Sequence, residues 1–170
     1  MFEKNQKKVL NAWCMYDWAN SVHNLVITTV VFPMYFLSTA VNENGGDIIS
    51  FFGISIANSV LYSYTISFAT FFLVLINPIL TAMADYSGRK KLFMKFFCYL
   101  GALSCGYFFF FTKNNVNSSI IAFGLSIIGW GGSIVFYNSY LPEIATEDKY
   151  DQLSAKGGGT IVVPNGKWLT

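Results

Sequence analysis

Polar and apolar positions are unevenly distributed along the chain: short charged segments separate four long stretches that contain no Asp, Glu, Lys or Arg. The first runs from Trp18 to Asn42, the second lies within Ile48 to Ala84, the third is Phe96 to Thr112 and the fourth is Asn114 to Pro142. An α-helix needs roughly 20 residues to cross about 30 Å of hydrocarbon, and all four stretches meet or nearly meet that length. The pattern predicts an all-α membrane protein with four transmembrane helices, at about 17 to 39, 58 to 82, 93 to 112 and 119 to 141. A polar arm (1 to 16) precedes them and a polar tail (142 to 170) follows. Phe, Leu, Ile and Val occur all round each helix without period-two alternation, which argues against transmembrane β-strands.

Composition supports the same solvent. Apolar types make up 54 % of the chain and charged residues 12 %, about half the usual soluble share. Seventeen Phe and ten Tyr stand against eleven Lys plus Arg and nine Asp plus Glu. That balance excludes a disordered tail, a collagen-like repeat and a nucleic-acid-binding arm, so the expected partner is the lipid bilayer and not nucleic acid. A cleaved signal peptide fits the first stretch poorly, because its h-region should span only about 7 to 15 residues without internal Asn.

Charge placement sets the expected orientation. Lys4, Lys7 and Lys8 lie in the arm, Arg89, Lys90, Lys91 and Lys95 follow the second stretch, and Lys149, Lys156 and Lys167 lie in the tail. Only Lys113 of the eleven cations falls on the opposite side, where the first loop carries Glu43 and Asp47. By the positive-inside rule both termini are expected in the cytoplasm, in a bacterial inner membrane or its equivalent.

Polar side chains inside an apolar run are costly, so their arrangement carries information. At 100° per residue, Asp17, Asn20, Ser21, Asn24 and Thr28 fall within roughly a 100° arc of the first helix, while His23 lies off it. The stripe reads either as hydrogen bonding within a packed bundle or as the wall of a substrate path with Asp17 near its mouth. The second helix carries Ser59, Ser63, Thr70 and Asn77, and Asn77-Pro78 is expected to kink it or to open a backbone carbonyl. Gly101, Ala102, Cys105 and Gly106, then Gly124, Gly129, Gly131, Gly132 and Ser133, give the third and fourth helices small surfaces for close approach. No catalytic constellation, cofactor motif or metal-ligand cluster is evident, so no enzyme activity, cofactor or metal is expected. Cys14, Cys98 and Cys105 lack a C-x-x-C spacing and read as small packing residues. Asn117-Ser118-Ser119 is a glycosylation triplet of the kind that arises by chance.

The segment after the second helix reads Asp85-Tyr86-Ser87-Gly88-Arg89-Lys90-Lys91. An acid at a helix C-terminus opposes the helix dipole, so Asp85 calls for a partner, with Arg89 and Lys90 as candidates across the Gly turn. Asp85, Gly88, Arg89 and Lys90 resemble the loop motif of the major facilitator superfamily, Gly-x-x-x-Asp-x-x-Gly-Arg-Arg/Lys, with Thr81 in place of its first Gly. Tyr16-Asp17-Trp18-Ala19-Asn20-Ser21, Phe32-Pro33-Met34-Tyr35-Phe36 and the run from Phe136 to Ala145 are similar to the vacuole-effluxer-like branch. Autophagy-related fungal members of that branch export amino acids from the vacuole.

The resemblance covers about residues 10 to 157. It implies twelve helices in two halves, of which this chain would be an N-terminal fragment, its tail diverging after about 157. It also implies a secondary transporter of small solutes such as amino acids, inactive until the remaining helices complete it and prone to self-association. In that frame Asp17, Asn20, Ser21, Asn24, Thr28 and Asn77 are candidates for the substrate path, and Asp85, Gly88, Arg89 and Lys90 form a gating loop. Two other readings remain open at this stage: a small four-span homodimeric exporter, and a non-transporting membrane subunit.

Overall fold

The computed structural model describes residues 4–42 and 44–157. It is mostly helical, and four helices are long and apolar enough to cross a membrane: Lys7–Thr39, Asn58–Tyr86, Lys90–Phe110 and Lys113–Ile144. The apolar runs thus form the elements that their pattern predicts. In a solvent that cannot hydrogen-bond to the backbone, helices satisfy every peptide group internally.

The first span is not a uniform helix. It comprises α1 (Lys7–Val22), a π-helical stretch (His23–Val31) and α2 (Phe32–Thr39). Helical structure begins at Lys7, well before the apolar run, and carries through the charged arm. A short antiparallel hairpin, β1 (Ile48–Phe51) paired with β2 (Ile54–Ala57), follows in the first loop, with Ile49 opposite Ile56. Gly53, at φ +87°, turns it. Then come α3 (Asn58–Ser87), α4 (Lys90–Tyr107), α5 (Val116–Ser139) and the short tail helices α6 (Leu141–Ile144) and α7 (Tyr150–Gly157). Pro78 lies inside α3, which continues unbroken through it.

The described residues divide into two compact units, one within 27–136 and the other formed by 4–26 with 137–157. In the larger unit the described residues form two aromatic cores. One gathers Phe32 and Phe36 of α2, Leu61 and Ala69 of α3, Phe111, and Ile120, Phe123 and Ile127 of α5. Phe32 lies flat on Phe123, with ring centroids 3.9 Å apart and planes 3° from parallel. The other core is Ala84, Phe97 and Phe136, flanked by Leu80, Phe93 and Met94. Between them α4 and α5 approach backbone to backbone at Gly101 and Gly129, where the Gly101 Cβ position would lie 3.5 Å from Gly129 C. Small residues at this crossing let dispersion contacts accumulate where lipid offers no hydrophobic contrast.

Asn58 closes the entry to α3. Its buried side-chain amide donates to the carbonyls of Leu37 (3.2 Å) and Ala40 (2.9 Å), satisfying acceptors at the end of α2 that no helical amide can reach.

In the smaller unit the tail packs against α1. Trp13 stacks on Tyr137 at 4.4 Å and donates its indole N–H to the Tyr137 carbonyl at 3.3 Å. Tyr16 stacks on the same ring at 5.0 Å. Asn5 ties the arm to the tail: its backbone N–H donates to the Ile144 carbonyl (2.8 Å) and its side-chain amide donates to the Thr146 hydroxyl (3.0 Å). The polar tail therefore has a packed partner up to α7, where the Lys156 ammonium donates to the Asn11 side-chain oxygen at 2.7 Å. Residues 158–170, expected from the sequence to diverge from the family pattern, lie outside the described residues.

Candidate transport path and loop motif

Asp17, Asn20 and Ser21 occupy half-buried positions on the last turns of α1. Ser21 turns its hydroxyl back to its own helix, donating to the Asp17 carbonyl at 2.9 Å. This i−4 bond satisfies a hydroxyl inside an apolar segment without a partner from elsewhere. The 100° progression that defines the stripe holds only to Val22. From His23 the turn widens to i→i+5 bonding, so each residue advances by less than 100° and the α-helical arithmetic no longer places Asn24 and Thr28. Asn24 is exposed and Thr28 half-buried. His23 is also half-buried.

On α3 the exposed hydroxyls are spent locally: Ser63 donates to the Ser59 carbonyl (2.9 Å) and Ser67 to the Ser63 carbonyl (3.0 Å). Asn77 differs. Its side-chain oxygen is buried without a hydrogen-bond partner among the described residues, about two turns before Asp85 on the same helix. A buried acceptor left open costs roughly 1–3 kcal/mol, so Asn77 is the α3 position with the most to gain from a polar ligand or another polar side chain.

The loop motif is fully assembled. Asp85 lies in the last turn of α3, and Gly88, at φ +64°, caps that helix in the left-handed conformation with its N–H directed to the Asp85 carbonyl at 3.3 Å. Arg89 is exposed and precedes α4, its carbonyl accepting from the Leu92 amide at 2.9 Å. Lys90, the first residue of α4, reaches back to Asp85 with Nζ 3.0 Å from Oδ1. Of the two cations the sequence offers, Lys90 is the partner, because the Gly88 turn places the two helix ends side by side.

Two positioning residues are not legible as such in the sequence. Asn58 reads as one Asn among several near a helix start. Tyr62 donates its hydroxyl to the Thr28 carbonyl at 2.7 Å, an interhelical bond that no spacing rule forecasts. Among the described residues no cluster of three or more His, Cys, Asp or Glu could hold a metal ion.

Comparison with known proteins accords with this architecture. The family model described as "Vacuole effluxer Atg22 like" matches residues 5–158, and the chain belongs to that family. It is 36 % identical over 157 residues to the uncharacterized MFS-type transporter YxiO of Bacillus subtilis (strain 168), covering 92 % of this chain and 35 % of that protein. It is 30 % identical over 125 residues to autophagy-related protein 22-2 of Penicillium rubens, covering 72 % of this chain and 20 % of that protein. The chain thus spans between a fifth and about a third of the length of these relatives. No solved structure matches. The chain is an integral membrane protein of a transporter family, in contact with the lipid bilayer.

Proposed function

We propose that this chain supplies four spans of a secondary transporter of small solutes, with amino acids as the solute class. The observation that carries the reading is the similarity to an MFS-type transporter across 92 % of the chain, joined to four helices long enough to span a bilayer. The amino-acid class follows from the resemblance to the fungal exporters. In such folds the solute binds near the bilayer midplane between two repeats, and one rocks against the other. Asp17 is the acidic residue within the first span, inside its apolar part, and is costly there unless it is used. With Asn20, Ser21, Asn24, Thr28 and Asn77 it lines the solute path, and the Asp85 to Lys90 loop latches one end of the bundle. The distribution of Lys and Arg supports a cytoplasmic position for both termini and that loop, in a bacterial inner membrane or its equivalent.

Four spans give one repeat nothing to rock against, so these 170 residues alone do not transport. Their exposed apolar side chains, among them Phe68, Phe71 and Leu75 of α3, meet lipid, further helices or other copies of the chain.

The test has two arms. The purified chain in liposomes, with and without a proton gradient, should show no saturable flux across an amino-acid panel. A chimera in which these residues replace the homologous segment of the Bacillus subtilis relative should restore flux, which Asp17→Asn abolishes and His23→Ala spares. Saturable flux by the chain alone, lost in Asp17→Asn, would instead establish a small homodimeric exporter.

A further inference from the structure

Pro33 follows the wide-turn stretch of the first span, and Tyr62 of α3 meets that stretch at Thr28. In the i→i+5 register of the His23–Val31 stretch, the amide that would reach the Thr28 carbonyl belongs to residue 33. Residue 33 is Pro, which has no N–H. In an α register the Phe32 amide would bond Thr28, and Pro33 would instead leave the Thr29 carbonyl without a backbone donor. Pro33 therefore withholds a backbone donor from one carbonyl in either register, and the register decides which. In an apolar segment an open carbonyl is costly, so the register that finds it a donor is favoured.

The structure supplies that donor to Thr28: the Tyr62 hydroxyl lies 2.7 Å from its carbonyl oxygen. The Tyr62 ring is held in place by Phe123, with centroids 5.4 Å apart, and by Phe32 at 6.5 Å. Phe32 in turn lies flat on Phe123 at 3.9 Å. The hydroxyl is thus aimed by the aromatic core.

We propose that Pro33 and Tyr62 form a register lock: Pro33 leaves the Thr28 carbonyl open in the wide-turn register, Tyr62 fills it, and Tyr62 is thereby the positioning residue that sets where Asn24 and Thr28 point. The lock stands on the helix geometry alone. Only its consequence, that Tyr62 shapes the solute path from outside the polar stripe, rests on the transporter reading.

Thr28 and Thr29 are the only adjacent threonines in the chain, so threonine labelled with carbon-13 at the carbonyl and nitrogen-15 at the amide gives one carbonyl-to-amide correlation, that of the Thr28 carbonyl. In the purified chain in detergent, Tyr62→Phe is expected to move this correlation and lower the apparent melting temperature by a few degrees. In a Pro33→Ala background, where residue 33 regains its N–H, Tyr62→Phe is expected to change neither. Equal effects of Tyr62→Phe in both backgrounds, including loss of the folded chain in both, or no movement of the Thr28 correlation in the parent, would overturn the lock. None of these readouts involves solute flux, so failure of the lock and failure of the transporter reading are separable.

Discussion

Lys90 Nζ lies 3.0 Å from Asp85 Oδ1, joining the last turn of one membrane helix to the first residue of the next. Each charge is misplaced with respect to its own helix dipole, the acid at a C-terminus and the base at an N-terminus. Paired across the Gly88 turn, they offset one another. Asp85 is about half exposed, so the pair contributes about 0.2–1 kcal/mol. Asp85→Asn or Lys90→Ala should lower the melting temperature slightly in low salt and less in high salt. The double exchange Asp85→Lys with Lys90→Asp suits both dipoles and should be at least as stable as the parent.

Gly88 has open space around its Cβ position, so the cost of replacing it lies in its backbone conformation at φ +64°. Gly88→Ala should cost about 1 kcal/mol and Gly88→Asn less, because Asn tolerates the left-handed region. Thermal unfolding of the purified chain in detergent checks the order.

The crossing of α4 and α5 is asymmetric. A Cβ on Gly129 would lie 2.6 Å from Gly101 Cα and 2.8 Å from the Phe97 carbonyl oxygen, whereas one on Gly101 would meet Gly129 C at an ordinary 3.5 Å. Gly129→Ala should therefore push the helices apart at a cost of about 1–3 kcal/mol, while Gly101→Ala is tolerated. Equal melting temperatures for the two variants would contradict this geometry.

Trp13 contributes both a stacked ring and a hydrogen bond to Tyr137. Trp13→Ala should cost about 3–5 kcal/mol and loosen the tail from α1. The expected readout is faster limited proteolysis between residues 141 and 157, with Trp13→Phe intermediate because it keeps stacking and loses the N–H.

The proposed orientation is checked by impermeant thiol labelling of intact cells, with Cys14, Cys98 and Cys105 replaced. A cysteine at position 44 should label from outside and one at position 89 should not. The reverse pattern would invert the topology.

Four spans, the loop motif and the family were legible in the sequence because each rests on a local rule. Hydrocarbon excludes charge over a whole helix length, and the left-handed turn between Asp85 and Lys90 calls for a residue such as Gly88. The polar positions of the first span were legible as residues but not as a face, since the α period ends at Val22, and Tyr62, which meets the stretch beyond it, lies in another helix. Tertiary structure also decided which span is most buried: 61 % of the apolar window of Lys113–Ile144 is buried, against 11–17 % in the other three. All four are apolar all round, so composition could not rank them. Ser119, Ser126 and Ser133 at steps of seven, all nearly inaccessible, show where α5 faces its neighbours. The docking of Asn5 and Trp13 onto the tail joins residues more than 120 positions apart. Packing of that kind is set by which surfaces meet in space, and only the folded chain brings them together.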